Sequence, residues 1–212
     1  MRRWTGLAAL AASTAATGLA VAIGTTALQD PEPSAPRPQA QPDGQPEPSS
    51  LASYDTAGIN VVRGPFCDRV SPTGIEHALG DVPADSEEWT NGDLDRLPDG
   101  TRDRVQEFGC RWTAADGTQA SAWVFAPPVT RAQARELVRG SFGERCATTQ
   151  GDQYGTPSVA SRCTTGAVTE DTLRGLFGDA WLTCTLATRS EPIHLPERTS
   201  TWCVQVVEAA RS

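Results

Sequence analysis

From about Ser53 onward, apolar and polar residues follow regular periods along the chain. Alternation of apolar and polar residues is typical of strands, and apolar residues at helical spacing are typical of helices. The alternating stretches predict strands at residues 105–113, 119–126, 159–164, 173–177 and 181–188, with hairpin turns at 115–118 and 178–179.

A short helix is predicted directly after the first cysteine of the chain. Ser71 is a suitable N-cap, and Pro72 suits the first helical position because its missing N–H has no helical partner there. Gly80 is a natural stop, since glycine adopts the left-handed conformation in which many helices end. The helix is therefore predicted over residues 72–79.

Two further helices complete the predicted fold. Thr130 can cap one, and Thr199 or Ser200 can cap another near the end of the chain, although residues 202–207 equally suit a strand. Strands and helices in this arrangement predict an α+β domain over residues 53–212. In it, two or three helices pack on an antiparallel sheet.

Acidic residues are concentrated in residues 81–103, which hold eight acids against two arginines and are predicted to form a solvated loop. Asp93, Asp95 and Asp99 resemble the start of a calcium-binding loop. The third acid arrives two residues late, and Leu97 stands where an oxygen ligand is required. No metal site and no cofactor are therefore predicted, and the three aspartates are instead candidate contacts for a partner.

The N-terminus carries an export or anchoring signal. Two arginines precede an uncharged run over residues 4–28, which is long enough to cross a hydrocarbon core of ~30 Å as a helix. The run is rich in alanine, and small residues near its end fit cleavage sites. A signal anchor and a cleaved signal peptide therefore both stay open for residues 1–28, with the length of the run favouring the anchor. Either one places the remainder outside the cytoplasm.

A proline-rich linker is predicted over residues 29–52. Its first 22 residues contain seven prolines and no aromatic or branched aliphatic side chain, so they cannot form a core. An extended, disordered tether is expected. The net charge of the whole chain is −8 and no segment is strongly basic, so no nucleic-acid partner is expected.

Six cysteines lie in the predicted folded region. An even number in an exported chain is typical of a disulfide framework, and the close Cys-x-x-Cys pairs of zinc sites do not occur. Of the pairings that six cysteines allow, neighbours in sequence are the prediction because each such bridge joins a helix or loop to an adjacent strand. The predicted bridges are Cys67–Cys110, Cys146–Cys163 and Cys184–Cys203.

The segment between Cys146 and Cys163 is a second candidate contact surface. A bridge between the two cysteines would close a loop with Tyr154 near its tip. A restricted loop loses less entropy on binding, and tyrosine offers a large contact area with few rotatable bonds. The alternative is that Tyr154 packs back on the sheet.

The cysteine-bearing segments resemble a known family. Cys67-Asp68-Arg69-Val70-Ser71-Pro72 leads into the helix that ends at Leu79-Gly80, and Cys110-Arg111-Trp112 follows on a strand. Over residues 65–126 this is similar to an actinobacterial family of cell-envelope lipoproteins of unknown function. The resemblance implies an envelope location and this fold. Its members carry a lipidated cysteine directly after the signal peptide, whereas the first cysteine here is Cys67.

The expected function is that of a cell-envelope binding or sensory module. The chain would be held in the membrane by its N-terminal helix, or secreted if that helix is cleaved, and its partner would be an envelope protein or a small ligand. No catalytic motif is found, since His77 lies near a cysteine that is expected to be oxidised. The alternative is a secreted hydrolase with dispersed catalytic residues.

Overall fold

A computed structural model describes residues 49–96, 100–140, 145–189 and 192–212. All of them belong to one compact unit. The predicted anchor or signal peptide and nearly all of the predicted linker lie outside the described residues. Within those ranges no helix has both the length and the apolarity needed to cross a bilayer.

Nine strands form two sheets within the described ranges. They are β1 (Pro83–Trp89), β2 (Leu94–Arg96), β3 (Arg102–Arg104), β4 (Glu107–Ala114), β5 (Gln119–Phe125), β6 (Cys146–Thr149), β7 (Ser158–Thr165), β8 (Val168–Phe177) and β9 (Ala180–Thr188). The larger sheet has the order β1-β4-β5-β9-β8-β7-β6, with antiparallel neighbours throughout. β2 and β3 form a separate antiparallel pair.

Three α-helices accompany the sheets in the described part of the chain. They are α1 (Pro72–Leu79), α2 (Arg131–Arg139) and α3 (Leu195–Ala210). α1 begins and ends as predicted: the Ser71 hydroxyl accepts the N–H of Gly74 at 3.4 Å, and Gly80 adopts the left-handed conformation with φ 76°. Thr130 and Gln133 form a reciprocal capping box at the start of α2. The predicted α+β fold is confirmed.

The two faces of the larger sheet are covered differently. The α1/α3 face buries the apolar side chains of the central strands against these two helices, including Ala122, Leu182 and Leu186. On the opposite face, the α2 face, Ala134 of α2 packs near Leu176 and Trp181 at one end of the sheet. Since successive residues of a strand point to opposite faces, the register assigns each strand residue to one of the two.

The core is anchored by two tryptophans on the α1/α3 face. Trp112 of β4 and Trp202 of α3 meet edge to face, with their ring centroids 5.7 Å apart. The indole N–H of Trp202 donates to the carbonyl of Ser121 at 3.2 Å, so its polar atom is satisfied inside the core. This contact fixes α3 across the middle of the sheet.

The three bridges of the structure join the cysteines in the predicted pairs. Cys67 is bonded to Cys110, Cys146 to Cys163 and Cys184 to Cys203, with Cα–Cα distances of 6.0, 4.0 and 5.6 Å. The first bridge ties the short 3-10 turn before α1 to β4, and the third ties β9 to α3. Disulfides persist in oxidising compartments, which indicates an extracellular or secreted domain.

The prediction of a solvated loop over residues 81–103 is wrong. The segment contains β1, β2 and β3, and β1 pairs along its length with β4. The acidic side chains of β1 do point into solvent, as in Asp85 and Glu88, because β1 is an edge strand. Backbone pairing, not burial of side chains, makes this segment a strand.

The last helix begins earlier than predicted. α3 starts at Leu195, with His194 as its N-cap residue, so Thr199 and Ser200 lie inside the helix and not at its cap. The Thr199 hydroxyl donates to the carbonyl of Leu195 at 2.8 Å, one turn back. Ser200 accepts the backbone N–H of Leu51, which is buried, so the packed chain reaches residues that the sequence assigned to the linker.

Tyr154 is not at an exposed loop tip, and the prediction that it forms a contact surface is wrong. Its side chain is 0% exposed and packs edge to face against Phe177, with ring centroids 5.0 Å apart. The residues after Cys146 form β6, which pairs with β7. The alternative that Tyr154 packs back on the sheet is the arrangement observed.

Candidate functional site

A cleft of about 500 Å³ opens where β2 and the turn before it approach β1 and β4. We name it the Trp89 cleft. It is lined by Glu87, Trp89, Asp93, Leu94, Asp95, Val105, Glu107 and Arg111. The lining thus combines an indole, four carboxylates and one guanidinium.

Trp89 owes its position to a glycine on the neighbouring strand. The register places Trp89 beside Gly109 and Gly109 beside Trp123, in one row on the α2 face. A Cβ at Gly109 would lie 2.3 Å from Cζ2 of Trp89 and 2.8 Å from Cβ of Trp123, so any side chain there would displace the indole. The indole therefore covers the bare backbone of Gly109 and turns its other side toward the cleft.

Glu107 lies beside Trp89 in the lining of the cleft. The indole N–H of Trp89 donates to Oε1 of Glu107 at 3.0 Å. Burial raises the pKa of the Glu107 carboxyl above its ordinary value, and the hydrogen bond from Trp89 opposes that rise. The carboxylate is half-buried, and the hydrogen bond from Trp89 offsets only part of the free energy that its desolvation costs.

Arg111 closes the opposite side of the cleft. Its guanidinium forms an ion pair with Glu87, its cross-strand neighbour, at 3.2 Å. The same group lies 5.8 Å from the centroid of the Trp89 ring, near the outer limit of ~6 Å for a cation–π contact. The side chains of Arg111 and Glu87 are 45% and 62% exposed, so both are able to move.

The structure brings two of the three predicted contact aspartates to the wall of this cleft. Asp93 also closes the turn after β1, since its Oδ2 accepts the N–H of Thr90 at 2.7 Å and its hydroxyl at 3.1 Å. Asp95 pairs in register with Asp103 across β2 and β3. Asp99 lies outside the described residues. That these aspartates contact a partner stays a prediction.

Sequence reasoning missed the residues that give the cleft its character. Trp89, Glu107 and Arg111 are brought together by the pairing of β1 with β4, which the sequence did not predict. The available signal was Gly109, a glycine inside an alternating strand pattern, because such glycines mark close approaches by other groups.

A larger groove of about 590 Å³ lies between the first turns of α3 and the strands β7 and β8. Its most buried charge, Asp171, is held by Arg162 through two bonds of 2.6 and 2.7 Å. The Ser200 hydroxyl donates to Asp152 at 2.9 Å. In the Trp89 cleft, by contrast, the half-buried Glu107 has no cationic partner among the described residues, so the smaller cleft is the better candidate site.

Metal and histidine chemistry receive no support in the described part of the chain. No group of three or more His, Cys, Asp or Glu side chains there could hold a metal ion. His77 lies on α1 and His194 at the start of α3, and both are exposed.

Replacing Glu107 by glutamine is expected to stabilise the protein at neutral pH, by about 1 kcal/mol or less because the site is partly hydrated. A raised folded-state pKa means that the native state favours the protonated acid. The stability gained by protonation is present below the ordinary pKa of 4.5 and is lost as pH rises through the folded value. Glutamine keeps an oxygen for the N–H of Trp89 and carries no charge.

The measurement is urea unfolding of the native chain and the Glu107→Gln variant across acidic and neutral pH. The variant should match the native chain in acid, gain its advantage as pH rises from the ordinary pKa of 4.5 through the raised pKa of Glu107, and keep it at higher pH. Glu76→Gln removes the same charge from the exposed side of α1 and is the matched control. An advantage of Glu107→Gln that is equal at every pH would contradict the assignment.

Comparison with known proteins adds little to this geometry. No family model matches the chain, and no curated protein matches it. A crystal structure described as a GTP binding regulator from Thermotoga maritima is similar over 70% of this chain and 96% of its own, with 10% identity. Its TM-score is 0.33, and a likeness at that level carries no argument about fold or function.

Proposed function

We propose that this protein is an exported binding module of the cell envelope that offers the Trp89 cleft to a ligand. The observation that carries the proposal is the cleft itself, in which an indole, a half-buried carboxylate and a partly exposed guanidinium line one cavity. Ligand sites commonly combine an apolar wall with a few polar groups that fix orientation.

The scaffold of the cleft is suited to binding. Trp89 and Glu107 stand on paired strands, and the strand that carries Glu107 is tied to the chain before α1 by the bridge between Cys67 and Cys110. Side chains on braced strands lose little freedom when a ligand arrives. Binding at this site therefore costs less than binding at a free loop.

The sequence and the bridges together support the proposed location. The uncharged run over residues 4–28 would act as a membrane anchor, and the proline-rich linker would carry the domain away from the bilayer. The resemblance over residues 65–126 to actinobacterial envelope lipoproteins supports the same location. Three disulfides fit a domain that folds outside the cytoplasm.

The location can be tested through an unusual property of the composition, since the chain contains no lysine. Arg131→Lys, on the exposed side of α2, gives the domain a single reactive side-chain amine. In intact cells of an actinobacterial host, a membrane-impermeant amine reagent should label this variant as fully as it does after lysis. The native chain is the matched control and should stay unlabelled on its domain.

Fractionation of the same cells distinguishes the anchor from the secreted form. The labelled chain should remain with the membranes if residues 1–28 are an anchor. Recovery in the medium of a chain that begins near Ile23 or Leu28 would identify a cleaved signal peptide. Labelling of Arg131→Lys only after lysis would place the domain in the cytoplasm and overturn the proposed function.

A further inference from the structure

We infer that the ligand of the Trp89 cleft is the guanidinium of an arginine side chain, bound between the indole of Trp89 and the carboxylate of Glu107. The inference rests on the proposed function and names its ligand class. It follows from the indole face, the acceptor capacity of Glu107, the charge of the lining and the position of Arg111.

The first step is the indole face. Trp89 is half-buried, with one side over Gly109 and the other toward the cleft. A tryptophan face attracts cations because its π electrons are negative, and planar guanidinium groups also stack on it. The protein itself places the guanidinium of Arg111 within 5.8 Å of this ring. The face is therefore accessible to a guanidinium.

The second step is the acceptor. Among the described residues, the donor that reaches the Glu107 carboxylate is the indole N–H of Trp89, at Oε1. A carboxylate has room for further hydrogen bonds, and its two oxygens match the parallel N–H groups of a guanidinium. Arg111 does not fill this place because it bonds to Glu87. Burial of Glu107 without a cationic partner raises its pKa, and a bound cation would remove that cost.

The third step is the charge of the lining. Four carboxylates and one guanidinium leave the cleft with a net negative charge. Such a cleft concentrates cations and repels anions. Free arginine carries an α-ammonium beside its α-carboxylate, so its net charge equals that of an arginine within a chain. The field therefore favours the guanidinium whether it belongs to a polypeptide or to the free amino acid, and the probes below distinguish these two sources.

The fourth step is that Arg111 acts as an internal competitor. Its contact with Trp89 lies near the limit of cation–π range, and its side chain is 45% exposed. An incoming guanidinium would take the ring face, and Arg111 would retain Glu87. Removing Arg111 should therefore strengthen binding. If Arg111 instead contributed contacts to the ligand, its removal would weaken binding.

The experiment uses the purified full chain with its disulfides intact and N-acetyl-arginine methylamide as probe. Binding is followed by the indole N–H resonance of Trp89, which is assigned by its absence from the Trp89→Phe spectrum. The native chain should show a saturable shift. The citrulline analogue, which has the same shape without the charge, should give none, and the lysine analogue should bind more weakly. Titration with free arginine shows whether the site prefers a polypeptide or the free amino acid.

Variants separate the roles of the lining residues. Glu107→Gln should weaken binding by about tenfold, since a charge-assisted hydrogen bond is lost. Arg111→Ala should strengthen it by about two- to fivefold, in keeping with the modest strength of exposed cation–π contacts. Glu197→Gln removes the same charge from the groove near α3 and should leave affinity unchanged. Backbone amide spectra confirm that each variant is folded.

Each other outcome overturns a stated part of the inference. Equal shifts with the citrulline and arginine probes exclude charge recognition, and equal binding of the lysine probe excludes guanidinium specificity. No response to any probe overturns the ligand class as a whole. The proposed function is judged separately by lysine labelling in cells, which does not depend on these probes.

Discussion

Replacement of Trp202 by alanine is expected to lower the free energy of unfolding by about 3–5 kcal/mol, the usual cost of removing a large aromatic side chain from a core. Trp202 is 1% exposed and packs edge to face against Trp112. Its loss leaves a cavity between α3 and β4 and removes the N–H that satisfies the carbonyl of Ser121. Urea unfolding, monitored by circular dichroism in buffer that leaves the disulfides intact, measures the change in free energy.

Trp202→Phe separates the two contributions. Phenylalanine keeps an aromatic ring against Trp112 but has no N–H for Ser121, so its loss should be less than half that of the alanine variant. If both variants lose the same free energy, the hydrogen bond and not the packing dominates. A loss below about 1 kcal/mol for Trp202→Ala would contradict the buried position of this side chain.

Local signals predicted the elements whose boundaries are set by local chemistry. Ser71, Pro72 and Gly80 define α1 because an N-cap, a first-turn proline and a left-handed glycine act within the helix itself. The hairpin between β4 and β5 was predicted for the same reason: Asp116 accepts the N–H of Thr118 within the turn. Such features need no knowledge of the rest of the fold.

The start of α3 shows how a local signal can mislead. Thr199 and Ser200 are good N-cap residues, yet their hydroxyls bond to Leu195 and Asp152 inside the folded domain. The real start has Pro196 in the first turn, a position where proline is well tolerated. Tertiary packing of the first turn, with Leu195 buried, extends the helix beyond the cap that the sequence favoured.

β1 could not be predicted because nothing in its own residues requires a strand. The segment is exposed along most of its length and gains its conformation from hydrogen bonds to β4. Charges along an exposed edge also hinder pairing with other chains, so the acidic residues are compatible with an edge strand. Acidic composition alone does not distinguish such a strand from a loop.

The Trp89 cleft depends on this same pairing. Trp89 and Glu107 become neighbours only when Trp89 lies beside Gly109, and a shift of one residue would turn the indole to the other face. The sequence therefore revealed the aspartates at the rim, Asp93 and Asp95, through composition. It did not reveal the indole and carboxylate at the centre, which are joined by register.

Removal of the bridge between Cys184 and Cys203 is expected to have the second large effect on stability. The double variant Cys184→Ala/Cys203→Ala should lose about 3 kcal/mol from loop entropy alone, as expected for a loop of this length. Both cysteines are 0% exposed, so alanine also leaves unfilled space between β9 and α3. We expect a further loss of about 1–2 kcal/mol from this cavity.

The bridge between Cys146 and Cys163 provides a matched control. Its sequence separation is 17 against 19 for the core bridge, so both constrain the unfolded chain to nearly the same extent. Cys146 and Cys163 lie half-buried on neighbouring strands, where alanine leaves little empty space. Urea unfolding of the two double variants therefore isolates the contribution of packing. A greater loss of unfolding free energy for Cys184→Ala/Cys203→Ala assigns the difference to the contact between α3 and β9. Equal losses would show that both bridges act through the unfolded chain alone, because the folded contacts differ while the loop entropies do not.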